Sequence, residues 1–117
     1  MYSTVTLAVL VTLIFALLGT AKILALPQMR ELATDAGFSV DAYRRIGGLE
    51  LAGAIGVALG PAVPPVGVLA AAGLLALLAG AIATHLRHGD GIRKMAPALV
   101  CLLLVAGYLA VLVGATS

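Results

Sequence analysis

The segment TVTLAVLVTLIFALLGTAKILAL, residues 4–26, is apolar along nearly all of its length and contains a single charged side chain, Lys22. A helix of about 20 apolar residues is long enough to cross the hydrocarbon core of a bilayer. Three more segments of similar length and composition follow. The sequence therefore predicts an all-α integral membrane four-helix bundle, a single transmembrane domain over residues 1–117 with spans at approximately 5–26, 43–63, 66–85 and 95–115.

The composition excludes an ordinary soluble protein. Hydrophobic residues make up 62% of the 117 residues and charged residues only 10%, whereas about a quarter of the residues in a soluble domain are charged. The sequence also has no basic stripe and no aromatic stacking surface, which argues against nucleic acid as a partner. The lipid bilayer is the predicted environment.

The placement of the charges predicts the orientation. All twelve charged side chains and both histidines lie either between Lys22 and Glu50 or between His85 and Lys94. These stretches contain the first and third loops, which lie on one side of the membrane in a four-span chain. Because Lys and Arg favour the cytoplasmic side, we expect both charged loops to be cytoplasmic and both termini to be outside. The expected location is the cell (inner) membrane of a bacterium.

A short helix is predicted between the first and second spans. Pro27 is expected to stop the first span, since proline cannot continue a helix without losing a hydrogen bond. In QMRELATDAGF, residues 28–38, one helical face would carry Met29, Leu32, Ala33 and Ala36. Gly37 is the expected residue after this helix, and Ser39 is the expected N-cap of the next one. We expect the helix to lie in the membrane interface under the bundle, and an ordinary polar loop is the alternative.

Small residues four positions apart mark one face of each predicted span. Apolar side chains have no hydrophobic reason to leave lipid, so faces that allow close backbone approach provide the contact between helices. The stripes are Ala8, Thr12, Ala16 and Thr20; Gly48, Ala52, Gly56 and Gly60; Ala72, Ala76, Gly80 and Thr84; and Ala106, Ala110 and Gly114. They favour a compact bundle and leave open whether a stripe faces its own chain or a second copy.

Lys22 and Glu50 lie inside predicted spans, where a charged side chain is costly and usually has a specific role. Lys22 is roughly 6 Å from the end of its span, so its ammonium can snorkel to the interface and act only as an anchor. Glu50 lies roughly 7 to 9 Å beyond Arg44 and Arg45, and its shorter side chain reaches the interface less easily. Because the two residues lie at a similar depth, we predict a Lys22–Glu50 ion pair that faces the bundle interior.

His85, at the end of the third span, lies at the same edge of the membrane. It is expected either to close the polar cluster as a proton carrier or hydrogen-bond partner, or to face lipid headgroups. The candidate ligand-contacting residues are Lys22, Glu50, Tyr43 and His85, and the candidate catalytic residues are Lys22, Glu50 and His85. His88 and Asp90 are expected to be loop residues.

No complete catalytic or metal-binding set is recognisable in the sequence. Cys101 is the single cysteine, which excludes an internal disulfide and a CxxC relay, and its apolar surroundings predict a small core residue. A zinc site needs three or four ligands, and only His85 and His88 come close. A phosphate-binding loop and a nucleophile elbow are missing. The sequence predicts no metal site and identifies no cofactor, and whether the protein is an enzyme stays open.

Three stretches resemble the DoxX-like family of small four-span membrane proteins, namely GTAKIL at 19–24, RIGGLELAGAIGVALG at 45–60 and AAGLLALLAGAIATHLRHGD at 71–90. The resemblance covers essentially the whole chain. Its most specific pieces are the Gly-x-x-Lys that ends at Lys22 and the Glu-Leu-x-Gly-Ala that begins at Glu50. Some relatives are membrane subunits of quinone-linked oxidoreductases or belong to redox and thiol-stress complexes. The resemblance therefore implies a four-helix membrane bundle, a protein partner and a quinone as the candidate cofactor.

Two functions from different classes follow. The first is a non-catalytic accessory or partner-binding protein, attached to a membrane redox complex, in which the Lys22–Glu50 cluster holds the helices in register. The second is a small membrane enzyme or a binder of a quinone- or isoprenoid-like ligand, whose polar head would lie by Lys22, Glu50 and His85. A transporter is disfavoured, because four spans with charge on one side offer no alternating-access path, although a homo-oligomer would relax this argument.

Overall fold

The computed structural model describes the chain from residue 2 to residue 116 and is all-α in that range, as predicted. The helices are α1 (Tyr2–Ile23), α2 (Pro27–Asp35), α3 (Val40–Leu59), α4 (Pro64–Arg87) and α5 (Ile92–Thr116). The four long helices form a ring, in which α1 contacts α3 and α5, and α4 contacts the same two helices. The short helix α2 packs against α3 and α1.

Apolar side chains from all four long helices fill the interior of the ring. The buried core consists of Ala8, Val11, Phe15, Ala54, Val57, Ala71, Leu74, Leu78, Cys101, Val105, Tyr108 and Leu112. Cys101 is therefore a buried core residue, as its apolar surroundings predict. On the outside of the bundle, large side chains such as Leu17, Leu69 and Leu103 are more than two-thirds exposed, an arrangement that suits contact with lipid.

Three helices are long and apolar enough to cross a membrane, over Ser3–Ile23, Pro64–Arg87 and Ile92–Gly114. Helix α3 is not among them, because four charged residues interrupt its apolar sequence: Asp41, Arg44, Arg45 and Glu50. The first three are exposed and lie in the first turns of α3, whereas Glu50 is buried further along the helix. Four spans therefore remain a prediction that depends on how the charge of Glu50 is compensated.

The connection between α1 and α2 differs from the expectation that Pro27 stops the first helix. Helix α1 already ends at Ile23, and Ala25 adopts a left-handed conformation with a φ of 52°. Arg30 Nε donates a hydrogen bond to the Ala25 carbonyl at 2.9 Å and closes the turn. Pro27 instead begins α2, where a missing backbone N–H costs no helical hydrogen bond.

Helix α2 is present where the sequence predicts a short helix. Ala33 on its inner face is fully buried, but Leu32, which was expected on the same face, is 49% exposed. Gly37 follows the helix in a left-handed conformation with a φ of 80°. Ser39 caps α3 as predicted, because its Oγ accepts a hydrogen bond from the Ala42 N–H at 3.0 Å.

The two charged loops lie at the same end of the bundle. A Cβ built on Gly37, in the loop after α2, would lie 3.7 Å from Nε2 of His88, at the end of α4. Gly89 ends α4 with a φ of 66°, in the same way that Gly37 ends α2. The chain therefore has one charged end, as a four-span topology requires.

At the opposite end, α5 compensates for a hydrogen bond that α3 loses. The Val57 carbonyl would ordinarily accept a hydrogen bond from the N–H of residue 61, but Pro61 has none. The fully buried Tyr108 hydroxyl donates to this carbonyl at 2.9 Å, and the Gly60 N–H donates to it at 3.1 Å. Gly60 and Gly67 leave room for the hydroxyl, since a Cβ on either would collide with it. Tyr108 therefore joins α3, α4 and α5.

The predicted stripes of small residues divide into inward and outward faces. Ala8, Gly56 and Gly60 are buried, and the Thr12 hydroxyl donates to the Ala54 carbonyl at 3.3 Å. The stripes of α4 and α5 lie on the outside, with exposed Ala72, Ala76, Gly80, Ala106 and Ala110. These two stripes do not hold the bundle together, because larger residues of α4 and α5 fill the core.

Candidate functional site

Lys22 of α1 and Glu50 of α3 are brought together as an ion pair. Lys22 Nζ donates a hydrogen bond to Glu50 Oε1. The Glu50 side chain is 5% exposed and the Lys22 side chain is 14% exposed, so the pair lies within the bundle. Each charge would be costly there without the other. The pairing predicted from their depths is therefore observed, while its role remains a prediction.

The pair forms where α1 and α3 approach each other closely. A Cβ built on Gly19 would lie 2.7 Å from the Gly47 carbonyl oxygen, and a Cβ on Gly47 would lie 2.7 Å from the Gly19 carbonyl oxygen. Glycines at such a crossing let two backbones come within reach of each other's polar side chains. Neither glycine belongs to the predicted stripes. The available signal was the Gly-x-x-Lys motif, which places Gly19 three residues before Lys22 and so on the same helical face.

Replacing Gly47 by alanine is expected to weaken the ion pair. The new Cβ would lie 2.7 Å from Lys22 Cβ as well as from the Gly19 carbonyl oxygen, so α1 must move away from α3. Overpacking of this kind costs about 1–3 kcal/mol. Unfolding of the purified protein in mixed micelles measures the loss. Gly48→Ala is the matched control, because its new Cβ would have no atom within 4 Å. Equal stability of the two variants would contradict a close crossing.

Tyr43 contacts Lys22, and its role as a ligand-contacting residue remains a prediction. Lys22 Nζ lies 4.9 Å from the centroid of the Tyr43 ring, within the range of a cation–π interaction. The Tyr43 ring in turn contacts Phe38, with 6.2 Å between the ring centroids. The ammonium is thus held between a carboxylate and an aromatic ring near the charged end of the bundle.

His85 belongs to a different polar group. Its Nδ1 lies 2.8 Å from Oδ2 of Asp90, and Oδ1 of Asp90 lies 3.7 Å from Nζ of Lys94. The structure does not bring His85 into hydrogen-bond contact with Lys22 or Glu50 among the described residues. Asp90 folds back over the end of α4, where its N–H also donates to the His85 carbonyl at 2.9 Å. Asp90 is a loop residue, as expected, but it is the one that engages His85.

The His85–Asp90 contact is expected to make the charged end sensitive to acid. The hydrogen bond from His85 to the carboxylate, aided by the nearby Lys94, lowers the pKa of Asp90. A carboxyl group with a lowered pKa in the folded state stabilises that state above its ordinary pKa. This contribution is lost as the pH falls through the folded-state pKa.

Replacing Asp90 by asparagine is therefore expected to flatten the acid side of the stability profile. The native chain should lose thermal stability as the pH falls below the ordinary pKa of an aspartate, about 3.9, and the variant should lose less. Thermal unfolding in micelles across an acidic pH series provides the measurement. Asp41→Asn is a suitable control, because the Asp41 side chain is 85% exposed. Parallel profiles for the native chain and Asp90→Asn would contradict the assignment.

Two apolar grooves lie on the outside of the bundle, and neither is lined by Lys22 or Glu50. One, of about 600 Å³, lies between α3 and α4, and the other, of about 440 Å³, lies between α1 and α3. The larger groove has many small lining residues, including Ala52, Gly53, Gly56, Ala70 and Gly73. The polar pair and the apolar grooves are thus separate features.

In the part of the chain that the structure describes, His, Cys, Asp and Glu form no group of three that could hold a metal ion.

Comparison with known proteins places the chain by its sequence. No curated protein and no solved structure matches it. The profile of the DoxX-like family, in contrast, matches residues 6–107. This range includes Lys22, Tyr43, Glu50 and His85, and it covers most of the four long helices. With three helices able to cross a membrane, the chain has the character of a membrane protein. It belongs to the DoxX-like family.

Proposed function

We propose that this protein is a four-span accessory subunit that binds a protein partner within the membrane. The Lys22–Glu50 pair carries the proposal. Its two charges engage each other across α1 and α3, next to the Gly19–Gly47 crossing. A charge pair used in this way sets the register of two helices and makes α3 compatible with the bilayer.

In this proposal α3 also crosses the membrane, which brings the number of spans to four, and the whole chain forms one domain. Lys22 neutralises Glu50, and the remaining charges of α3 lie in its first turns at the charged end. Because basic residues favour the cytoplasm, that end faces the cytoplasm and both termini lie outside. The membrane is the cell (inner) membrane of a bacterium, which is the location proposed from the sequence.

The outward face of α4 is the surface proposed for the partner. Ala72, Ala76 and Gly80 lie exposed on it, beside the apolar groove between α3 and α4. Small residues on a lipid-exposed face allow the close approach of another transmembrane helix. The partner that the family resemblance implies is a subunit of a quinone-linked redox complex.

The proposal is tested by isolating the tagged full-length protein from its native membranes in mild detergent. We expect one membrane protein to co-purify in fixed ratio and to be lost when Gly73, which lines the α3–α4 groove, is replaced by leucine. Gly107→Leu on α5 is the matched control and should retain the partner. A Cβ at either glycine would have no atom within 4 Å, so the first atom of each new side chain is accommodated, and circular dichroism in the same detergent checks that both leucine variants keep the helical fold. A homogeneous self-oligomer without another chain would contradict the proposal.

A further inference from the structure

Lys22, Glu50 and Tyr43 have more hydrogen-bonding capacity than the bundle uses. The ammonium of Lys22 has three N–H groups, and one of them bonds to Glu50 Oε1. Among the described residues, no group forms a hydrogen bond with the second carboxylate oxygen of Glu50 or with the Tyr43 hydroxyl. A buried ion pair offsets its desolvation only when further hydrogen bonds engage its remaining lone pairs and protons. These three side chains can therefore form hydrogen bonds with one more polar group.

We infer that Lys22, Glu50 and Tyr43 bind the hydroxyl group of a neutral, membrane-soluble alcohol or phenol. A hydroxyl donates one hydrogen bond, which the free oxygen of Glu50 can accept, and its oxygen accepts up to two, which Lys22 and the Tyr43 hydroxyl can donate. A charged head is disfavoured, because the ion pair is already neutral and an added charge would be uncompensated in the bundle. This role is independent of partner binding.

The surroundings of the pair indicate how the polar head would reach it. Neither apolar groove is lined by Lys22 or Glu50, so the molecule would not enter through either groove. Access is available at Lys22, whose side chain is 14% exposed, and beside the half-buried Tyr43. The apolar part of such a molecule would remain in the bilayer.

The composition of the chain makes a direct test practical. The sequence has two glutamates, Glu31 and Glu50, and two lysines, Lys22 and Lys94. Labelling the glutamate side-chain carboxyl carbons with ¹³C and the lysine ammonium nitrogens with ¹⁵N gives one site signal and one internal control of each type. The full chain is prepared in lauryldimethylamine oxide, a detergent without hydroxyl groups, and titrated with para-hexylphenol.

We expect para-hexylphenol to shift the Glu50 and Lys22 signals saturably, while those of Glu31 and Lys94 stay in place. Para-hexyltoluene, which lacks the hydroxyl, should shift none of them. Tyr43→Phe keeps the ring over the ammonium and should weaken binding about tenfold, as expected for a lost hydrogen bond at a charged site. The inference is overturned if the two probes act alike, if affinity is unchanged in Tyr43→Phe, or if the site signals respond only to exchange into D₂O. The last result would mean that water alone occupies the site.

Discussion

Replacing Lys22 by methionine is expected to destabilise the bundle by about 3 kcal/mol, the lower end of the cost of breaking a buried ion pair. The substitution leaves Glu50 without a cation in a position where its side chain is 5% exposed. The carboxyl group must then either lose its charge by taking up a proton or draw water into the bundle. Both responses cost free energy. Reversible unfolding in mixed micelles, followed by circular dichroism, measures the difference.

Removing the other partner of the ion pair, by Glu50→Leu, should lower the free energy of unfolding less than Lys22→Met does. Lys22 lies in the last turn of α1, and its long aliphatic stem can carry the ammonium towards the charged end when the carboxylate is gone. The Glu50 carboxylate cannot reach the charged end in this way, since its side chain is shorter and is buried well inside α3. This difference between the two variants follows from side-chain length. It is not expected if the two residues contribute only through packing.

The double variant Lys22→Met with Glu50→Leu should recover most of the stability lost by Lys22→Met. Replacing both partners of a buried ion pair by apolar side chains is often neutral or stabilising, because no charge then needs to be desolvated. Glu31→Leu on the exposed surface of α2 is the matched control and should change stability little. Additive losses in the double variant would mean that the two charges do not stabilise each other.

Hydropathy and charge were sufficient to predict the helical class, the Lys22–Glu50 contact and a charged end. These features depend on position along a helix and on depth, which a sequence displays directly. Turn geometry was harder to predict. Pro27 begins a helix instead of ending one, because the same missing N–H that breaks a helix interior is harmless in a first turn.

The contacts that set the helix orientations could not be predicted from spacing. A small-residue stripe looks the same whether it faces the core, as Gly56 does, or lies outside, as Ala76 does. From its depth alone, His85 was expected either near Glu50 or facing lipid headgroups, and a five-residue return of the chain pairs it with Asp90. Tyr108 gave no sequence signal by itself. Its role follows only from the combination with Pro61, which leaves the Val57 carbonyl short of a donor.

Replacing Gly60 by alanine is expected to destabilise the bundle by about 1–3 kcal/mol, the usual cost of overpacking a core. The new Cβ would overlap the Tyr108 hydroxyl, which is held in place by its hydrogen bond to the Val57 carbonyl. Tyr108→Phe alone should cost about 1 kcal/mol, because the carbonyl loses a donor that Pro61 cannot replace. Unfolding in mixed micelles measures both variants, and Gly80→Ala, whose Cβ would meet no atom within 4 Å, is the control.

The decisive measurement is the combination of Gly60→Ala with Tyr108→Phe. Without the hydroxyl, the nearest atoms to the new Cβ are Gly67 Cα at 3.0 Å and the Cζ of residue 108 at 3.1 Å, so small shifts relieve the contact. Gly60→Ala should therefore cost less in the Tyr108→Phe background than in the native chain. Gly67→Ala should not be rescued in the same way, because its Cβ would still lie 2.6 Å from Gly60 Cα, an atom of the backbone. Equal rescue of both glycines would mean that general loosening of the core, and not removal of one hydroxyl, relieves the strain.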